Sequence, residues 1–234
     1  MTATTYGQAM LSIIPVRAEA KHASEQVTQL LYNEPYTILE EQEEWVQIQC
    51  LHDNYEGWIP KNQVHYINKE TFETPFQYYS NEAVYWDNEL NRHIYMGTPF
   101  HKLPAISSLE KVDRVCQAAQ KFINAPYVWG GRSMAGIDCS GFMQIVYRMG
   151  NLLLPRDASQ QIHIGTTVEW GQHKAGDMAF FTNEAGKIGH VGLLLDDSTI
   201  IHASAWVRID DITQEGIFHE NEQTHKLAKI QRVL

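Results

Sequence analysis

Glycines crowd the approach to one cysteine. Tyr127-Val128-Trp129-Gly130-Gly131 is followed by Gly136-Ile137-Asp138-Cys139-Ser140-Gly141. A helix is predicted to begin at Cys139 and to run through Phe142, Ile145, Val146 and Met149 to Gly150. At a helix start the unpaired amide N–H groups and the dipole stabilise a thiolate. The Cys139 pKa is therefore expected below its usual value of about 8.5. The same N–H groups would bind the oxyanion formed when a thiolate attacks an amide. Asp, Ser and Gly flank Cys139, unlike a core position, whereas Cys50 and Cys116 read as small buried apolar residues.

A nucleophilic thiol needs a base. His190 in Ile188-Gly189-His190-Val191-Gly192 and His202 in Ile200-Ile201-His202-Ala203-Ser204 occupy like positions on successive strand candidates. They point to a linear Cys139–His190–His202 relay, in which the middle imidazole takes the proton and the third group fixes its tautomer. A zinc site is the rival reading of the same three residues. The absence of an HxxxH or CxxC pair argues against it, so neither metal nor cofactor is expected. The other nine histidines lie in polar contexts and read as surface.

The elements that must position these groups fall into two halves. Up to about residue 104, short alternating runs (Tyr36–Leu39, Trp45–Gln49, Trp58–Pro60, Val64–Ile67) suggest a small β-barrel. Ala83–Trp86 and Arg92–Met96 form a plausible hairpin, and Asn68–Ser80 reads as an insertion or a connection to it. From residue 105 the pattern changes. Ser107 and Glu110 fit a capping box ahead of a helix carrying Val112, Val115, Cys116, Ala119, Phe122 and Ile123. After the second helix come Met178–Thr182, Gly189–Leu195, Thr199–Ala203 and Val207–Ile209, strand-like runs that imply an α+β domain with an antiparallel sheet.

Composition excludes several classes of partner. The 234 residues carry a formal charge of −10 with no lysine–arginine cluster, so nucleic acid and anionic membrane are poor fits. No apolar run approaches the ~20 residues of a membrane-spanning helix. The first basic residue, Arg17, follows the apolar stretch Ala9–Val16, the reverse of a secretory signal. Three widely spaced cysteines without a CxxC pair fit reduced thiols, and a cytoplasmic monomer is expected.

Tyr127-x-Trp129-Gly130-Gly131, Asp138-Cys139-Ser140-Gly141, Arg156-Asp157, Gly176-Asp177-Met178 and Gly189-His190-Val191-Gly192, with His202 on the next strand, together resemble the NlpC/P60 cysteine peptidases of bacterial cell-wall metabolism. The likeness covers about residues 105–234. Tyr55-Glu56-Gly57-Trp58-Ile59 is similar to the bacterial SH3 (SH3b) barrels often fused ahead of such domains.

The resemblance implies a papain-like domain with Cys139 as nucleophile, His190 as base and His202 as orienting group, and with the Tyr127 hydroxyl near the thiolate. It implies cleavage between D-glutamate and a diamino acid in murein peptides. In the compact SH3b-containing members the barrel caps the cleft and a free N-terminal L-alanine is selected. The matching residues here would be Asp138, Ser140, Asp157 and Tyr55. An exported hydrolase of intact murein and an inert wall-peptide-binding protein are the alternative readings.

Overall fold

The computed structural model describes residues 4–101 and 109–234. The chain divides into two compact units, Met1–Ser107 with Trp129–Met134, and Ser108–Val128 with Ala135–Leu234.

The first unit is built on a seven-stranded antiparallel sheet. Its order is Gln26–Leu31, Ile13–Arg17, Glu56–Pro60, Trp45–Cys50, Pro35–Glu41, Thr5–Gln8 and Tyr66–Ile67. Strand alternation turns Val46, Ile48 and Cys50 into one core with Ala9, Ile14, Val16, Leu30, Tyr36 and Ile59, all fully buried. Burying such an aliphatic side chain is worth roughly 1.5–3 kcal/mol. Cys50 is thus the core residue it was expected to be. The strand Ile13–Arg17 escapes a sequence reading because Pro15 interrupts its apolar pattern, although Pro15 pairs with Gln29 in the sheet. Within residues 68–101 lie the helix Lys69–Glu73, capped by Asn68, the expected hairpin Val84–Asp87/Arg92–Tyr95, and the strand pair Tyr78–Tyr79/Pro99–Phe100.

Trp129–Met134, part of the glycine-rich motif, belongs to this first unit. Gln26 Nε2 donates to the Trp129 carbonyl at 3.0 Å. Gly130 has φ +74°, and a Cβ there would stand 2.4 Å from the Gln26 carbonyl oxygen, so only glycine fits. Arg132, fully buried, forms a bidentate pair with Glu34 at 2.8 and 3.0 Å and also donates to the Gln29 carbonyl.

In the second unit the first helix spans Lys111–Gln120 and buries Val115, Ala118 and Ala119. Its cap position falls at Glu110, which makes no side-chain capping bond; the expected cap Ser107 lies outside the described residues. Cys116 is half-buried rather than in the core, because it sits at the margin of the packed face. The second helix, Cys139–Met149, is buried along its whole length and ends at Gly150 as expected. Phe142 meets Phe122 edge-on at 5.7 Å.

Behind the helices stands an antiparallel sheet ordered Thr166–Val168, Glu222–Arg232, Met178–Thr182, Ile188–Leu194, Thr199–Ser204, Trp206–Ile212 and Gly216–His219. The long strand Glu222–Arg232 also pairs with Gly216–His219, which closes six strands into a ring. Ala179, Phe181, Leu194, Ile200, Ile212, Ile217 and Ile230 fill its interior. The bidentate pair of Asp177 with Arg232, at 2.8 and 2.7 Å, ties the last strand to the start of Met178–Thr182.

Candidate active site

The nucleophile helix is set by its cap. Asp138 has extended backbone and accepts the Gly141 N–H at 2.7 Å, so the helix starts at Cys139. The Asp138 carboxylate also pairs with the buried Arg156 guanidinium through both oxygens, and Arg156 donates to Ser140 Oγ at 2.8 Å. Asp138, Ser140 and Arg156 thereby form one buried polar unit beside Cys139.

The backbone N–H of Val191 donates to the Cys139 sulfur, which places the thiol alongside the residue next to His190. Burial, then the negative Asp138, push the thiol up to about 12, against the Val191 and Ser140 amides and Arg156. The expected depression does not occur: the helix start is present, but desolvation outweighs it. Tyr127 is half-buried, and its hydroxyl is pushed above the usual range by burial and then by the charges of Cys139 and Asp138.

His190 and His202 meet. Gly192 lies opposite His202 in the sheet, and a Cβ on Gly192 would come within 2.9 Å of the His202 Cβ. The glycine makes room for the Ile200 side chain and the His202 Cβ on the neighbouring strand. His190 Nε2 stands 2.8 Å from His202 Nδ1, and His202 Nε2 stands 2.9 Å from Asp210 Oδ2. Arg208 Nε and His219 Nδ1 also reach Asp210, each at 2.8 Å. Burial alone would raise the Asp210 carboxyl, but the bonds from His202 and His219 hold it below the usual carboxylate range.

Hydrogen positions follow from this chain. An ionised Asp210 only accepts, so His202 Nε2 carries the proton. Burial lowers the pKa of His202 and of His190; for His190, the neighbouring His202, His225 and Arg208 add to the effect. Neutral His202 then offers its Nδ1 lone pair to His190 Nε2–H, which leaves the His190 Nδ1 lone pair as the basic site.

A third imidazole completes the cluster. His225, on Glu222–Arg232, stacks on His190 at 4.2 Å between centroids and 28° between planes. The nitrogens of His190, His202 and His225 lie within 4.8 Å of one another, near enough to suggest a metal centre. Nearly parallel stacked rings cannot aim in-plane lone pairs at one ion, so this arrangement is poorly disposed for a metal. The histidines read as surface need correcting on this point. His225 is half-buried in the site, His219 holds Asp210, and His173 is buried.

Residues 124–225 match the sequence profile of the NlpC/P60 family, and residues 16–64 match that of the bacterial dipeptidyl-peptidase Sh3 domain. A probable endopeptidase NlpC of Escherichia coli is 34% identical over 115 residues, covering 46% of this chain and 75% of that protein. The chain belongs to the NlpC/P60 family. As a member it is a cysteine-type peptidase with an N-terminal SH3-like domain. It is similar to a gamma-D-glutamyl-L-lysine dipeptidyl-peptidase of Bacillus subtilis, 29% identical over 211 residues, covering 75% of this chain and 71% of that one. Its fold matches that of an NlpC/P60 family protein from Bacillus cereus, with TM-score 0.80 at 18% identity, over 98% of this chain and 99% of the other.

In this NlpC/P60 chain Asp157 is the cap residue of the short helix Ala158–Gln161, in a capping box with Gln160. Tyr55 lies in the first unit, its N–H donating to Asp53 at 3.0 Å. Asp210 and His225 were not identified from the sequence. Asp210 had one available signal, since it falls two residues after Arg208 on the strand that follows His202.

Proposed function

We propose that the chain hydrolyses the bond between γ-D-glutamate and an L-diamino acid in murein-derived peptides with a free N-terminal L-alanine, as a step of cell-wall peptide recycling in the cytoplasm. The Cys139 thiol at a helix start, beside a His190–His202–Asp210 chain, carries the catalytic part of this reading. The relative named for γ-D-glutamyl-L-lysine cleavage, similar across three quarters of the chain, supports the choice of bond.

In this mechanism His190 Nδ1 takes the proton from Cys139 as its sulfur attacks the γ-carbonyl carbon. The amide N–H groups at the helix start stabilise the resulting oxyanion. His190 then returns the proton to the departing α-amine, the C–N bond breaks, and a thioester remains. Water, deprotonated by His190, attacks the thioester and releases the carboxylate and the thiol. The high Cys139 pKa and low His190 pKa make the resting pair neutral, so proton transfer accompanies attack. Asp138, Ser140 and Asp157 form the polar set proposed to meet the α-ammonium, with Arg156 binding the first two into one unit.

Mass analysis of products from L-Ala-γ-D-Glu-L-Lys and its diaminopimelate counterpart tests the proposal. Release of L-Ala-D-Glu, abolished by Cys139→Ala, is expected. Cleavage of intact murein but of no free peptide would overturn the recycling role. Full turnover by Cys139→Ala would overturn the mechanism.

A further inference from the structure

A cleft of about 750 Å³ opens on His190. The end of Met178–Thr182, the turn that follows it, and Glu222–Arg232 bound this cleft, together with Tyr127 and Ala203–Ala205. Asp138, Ser140 and Asp157, assigned above to the N-terminal part of the substrate, do not line it. The departing amine must lie against His190 to receive its proton, so whatever is attached to that amine extends from the imidazole. The cleft that opens there is placed to receive it.

The charges on its walls are few. Glu184 stands in the turn between Met178–Thr182 and Ile188–Leu194, and Lys226 lies opposite Thr182 in the sheet. Both are exposed, and neither is engaged in an ion pair among the described residues. The other titratable side chains on the walls are His190 and His225, which burial keeps neutral near pH 7, and the Tyr127 phenol. The cleft therefore offers one anion and one cation, both exposed and not paired with each other.

We propose that this cleft is the leaving-group subsite, and that Glu184 and Lys226 select a leaving amino acid that bears a side-chain ammonium and a carboxylate. This inference rests on the catalytic reading given above. Glu184 meets the ammonium and Lys226 the carboxylate, which distinguishes a diamino acid from a neutral amino acid of the same length. Because both groups are solvated, each contact is worth about 0.2–1 kcal/mol, or up to about fivefold in kcat/KM.

The test uses the full chain and four peptides: L-Ala-γ-D-Glu-L-Lys, its norleucine analogue, and the C-terminal amide of each. Norleucine keeps the length of lysine and removes its ammonium. The wild type is expected to favour lysine over norleucine, and free carboxylate over amide, by about two- to fivefold each. Glu184→Gln should abolish the first preference alone and Lys226→Gln the second alone. Both positions are exposed, so folding should survive, and equal circular dichroism spectra would confirm it. A preference absent from the wild type, or unchanged by its matching substitution, overturns the subsite while leaving the catalytic reading intact. Failure of the wild type to cut any of the four peptides defeats both.

Discussion

The imidazole of His225 lies over one face of the His190 imidazole, 4.2 Å away between centroids, while His202 holds the edge of that same ring at 2.8 Å. One neighbour governs the tilt of the proposed base and the other its rotation about the ring plane. A nitrogen that must meet a thiol at hydrogen-bond distance is thus restrained in two directions by two different strands.

His225→Ala should release the tilt and lower kcat by up to ~10²-fold, the scale on which misplacing a reacting group by about an ångström is felt. His225→Phe keeps a flat ring at the same place and should restore most of the rate. Steady-state kinetics of both variants would decide. A phenylalanine variant as slow as the alanine variant would show that stacking is not what His225 supplies.

Asp210→Asn should be milder than His190→Ala, for which a loss of ~10²–10⁴-fold is expected of a general base. The amide oxygen can still accept from His202 Nε2–H, but the negative charge that enforces this tautomer is gone. Nitrogen-15 shifts of His202 should report the Nε2–H form in the wild type and a mixture in the variant. A wild-type His202 protonated on Nδ1 would contradict the proton order derived from Asp210.

The acid limb of kcat should lie well below pH 6.5, the ordinary imidazole value. The sign follows from the role: His190 works only when neutral, and burial with His202, His225 and Arg208 lowers its pKa. Activity should therefore persist as pH falls through 6.5. Because the Cys139 thiol is pushed up to about 12, the rate should not climb through the usual thiol range near pH 8.5. A rate that rises across pH 8–9 would point to a pre-formed thiolate instead.

Acetylating the N-terminal amine of the substrate should reduce kcat/KM by roughly a thousandfold, since the acetamide brings no positive charge to the Asp138 and Asp157 carboxylates and adds bulk beside them. Asp157→Asn should narrow that gap. Equal rates on free and acetylated peptides would remove Asp138, Ser140 and Asp157 from substrate recognition without touching the catalytic assignment.

Much of the site was legible because local rules acted on it alone. Asp138 caps, Gly150 terminates, and the apolar positions between them are all buried, so the helix beginning at Cys139 could be read directly. Met178–Thr182 was predicted to the residue because both of its faces are buried. Trp206–Ile212 was harder, for its pattern is inverted: Arg208 and Asp210 point inward to serve His202, while Ile209 is 43% exposed. Glu222–Arg232 carries mostly polar residues and is held as a strand by pairing with three others, information that no local pattern contains. Nothing near Arg132 in the sequence names Glu34 as its partner, 98 residues away.

That last pairing sets an order in time. Synthesis delivers Glu34 long before Arg132, yet both are buried in the same unit. Until Arg132 arrives, enclosing Glu34 would bury a carboxylate without its guanidinium, which is strongly unfavourable. The first unit therefore cannot finish folding in simple N-to-C sequence, as separate domains commonly do during translation. Its final stitch is Arg132, six residues ahead of Asp138, so completion of the first unit and emergence of the nucleophile from the ribosome belong to the same moment.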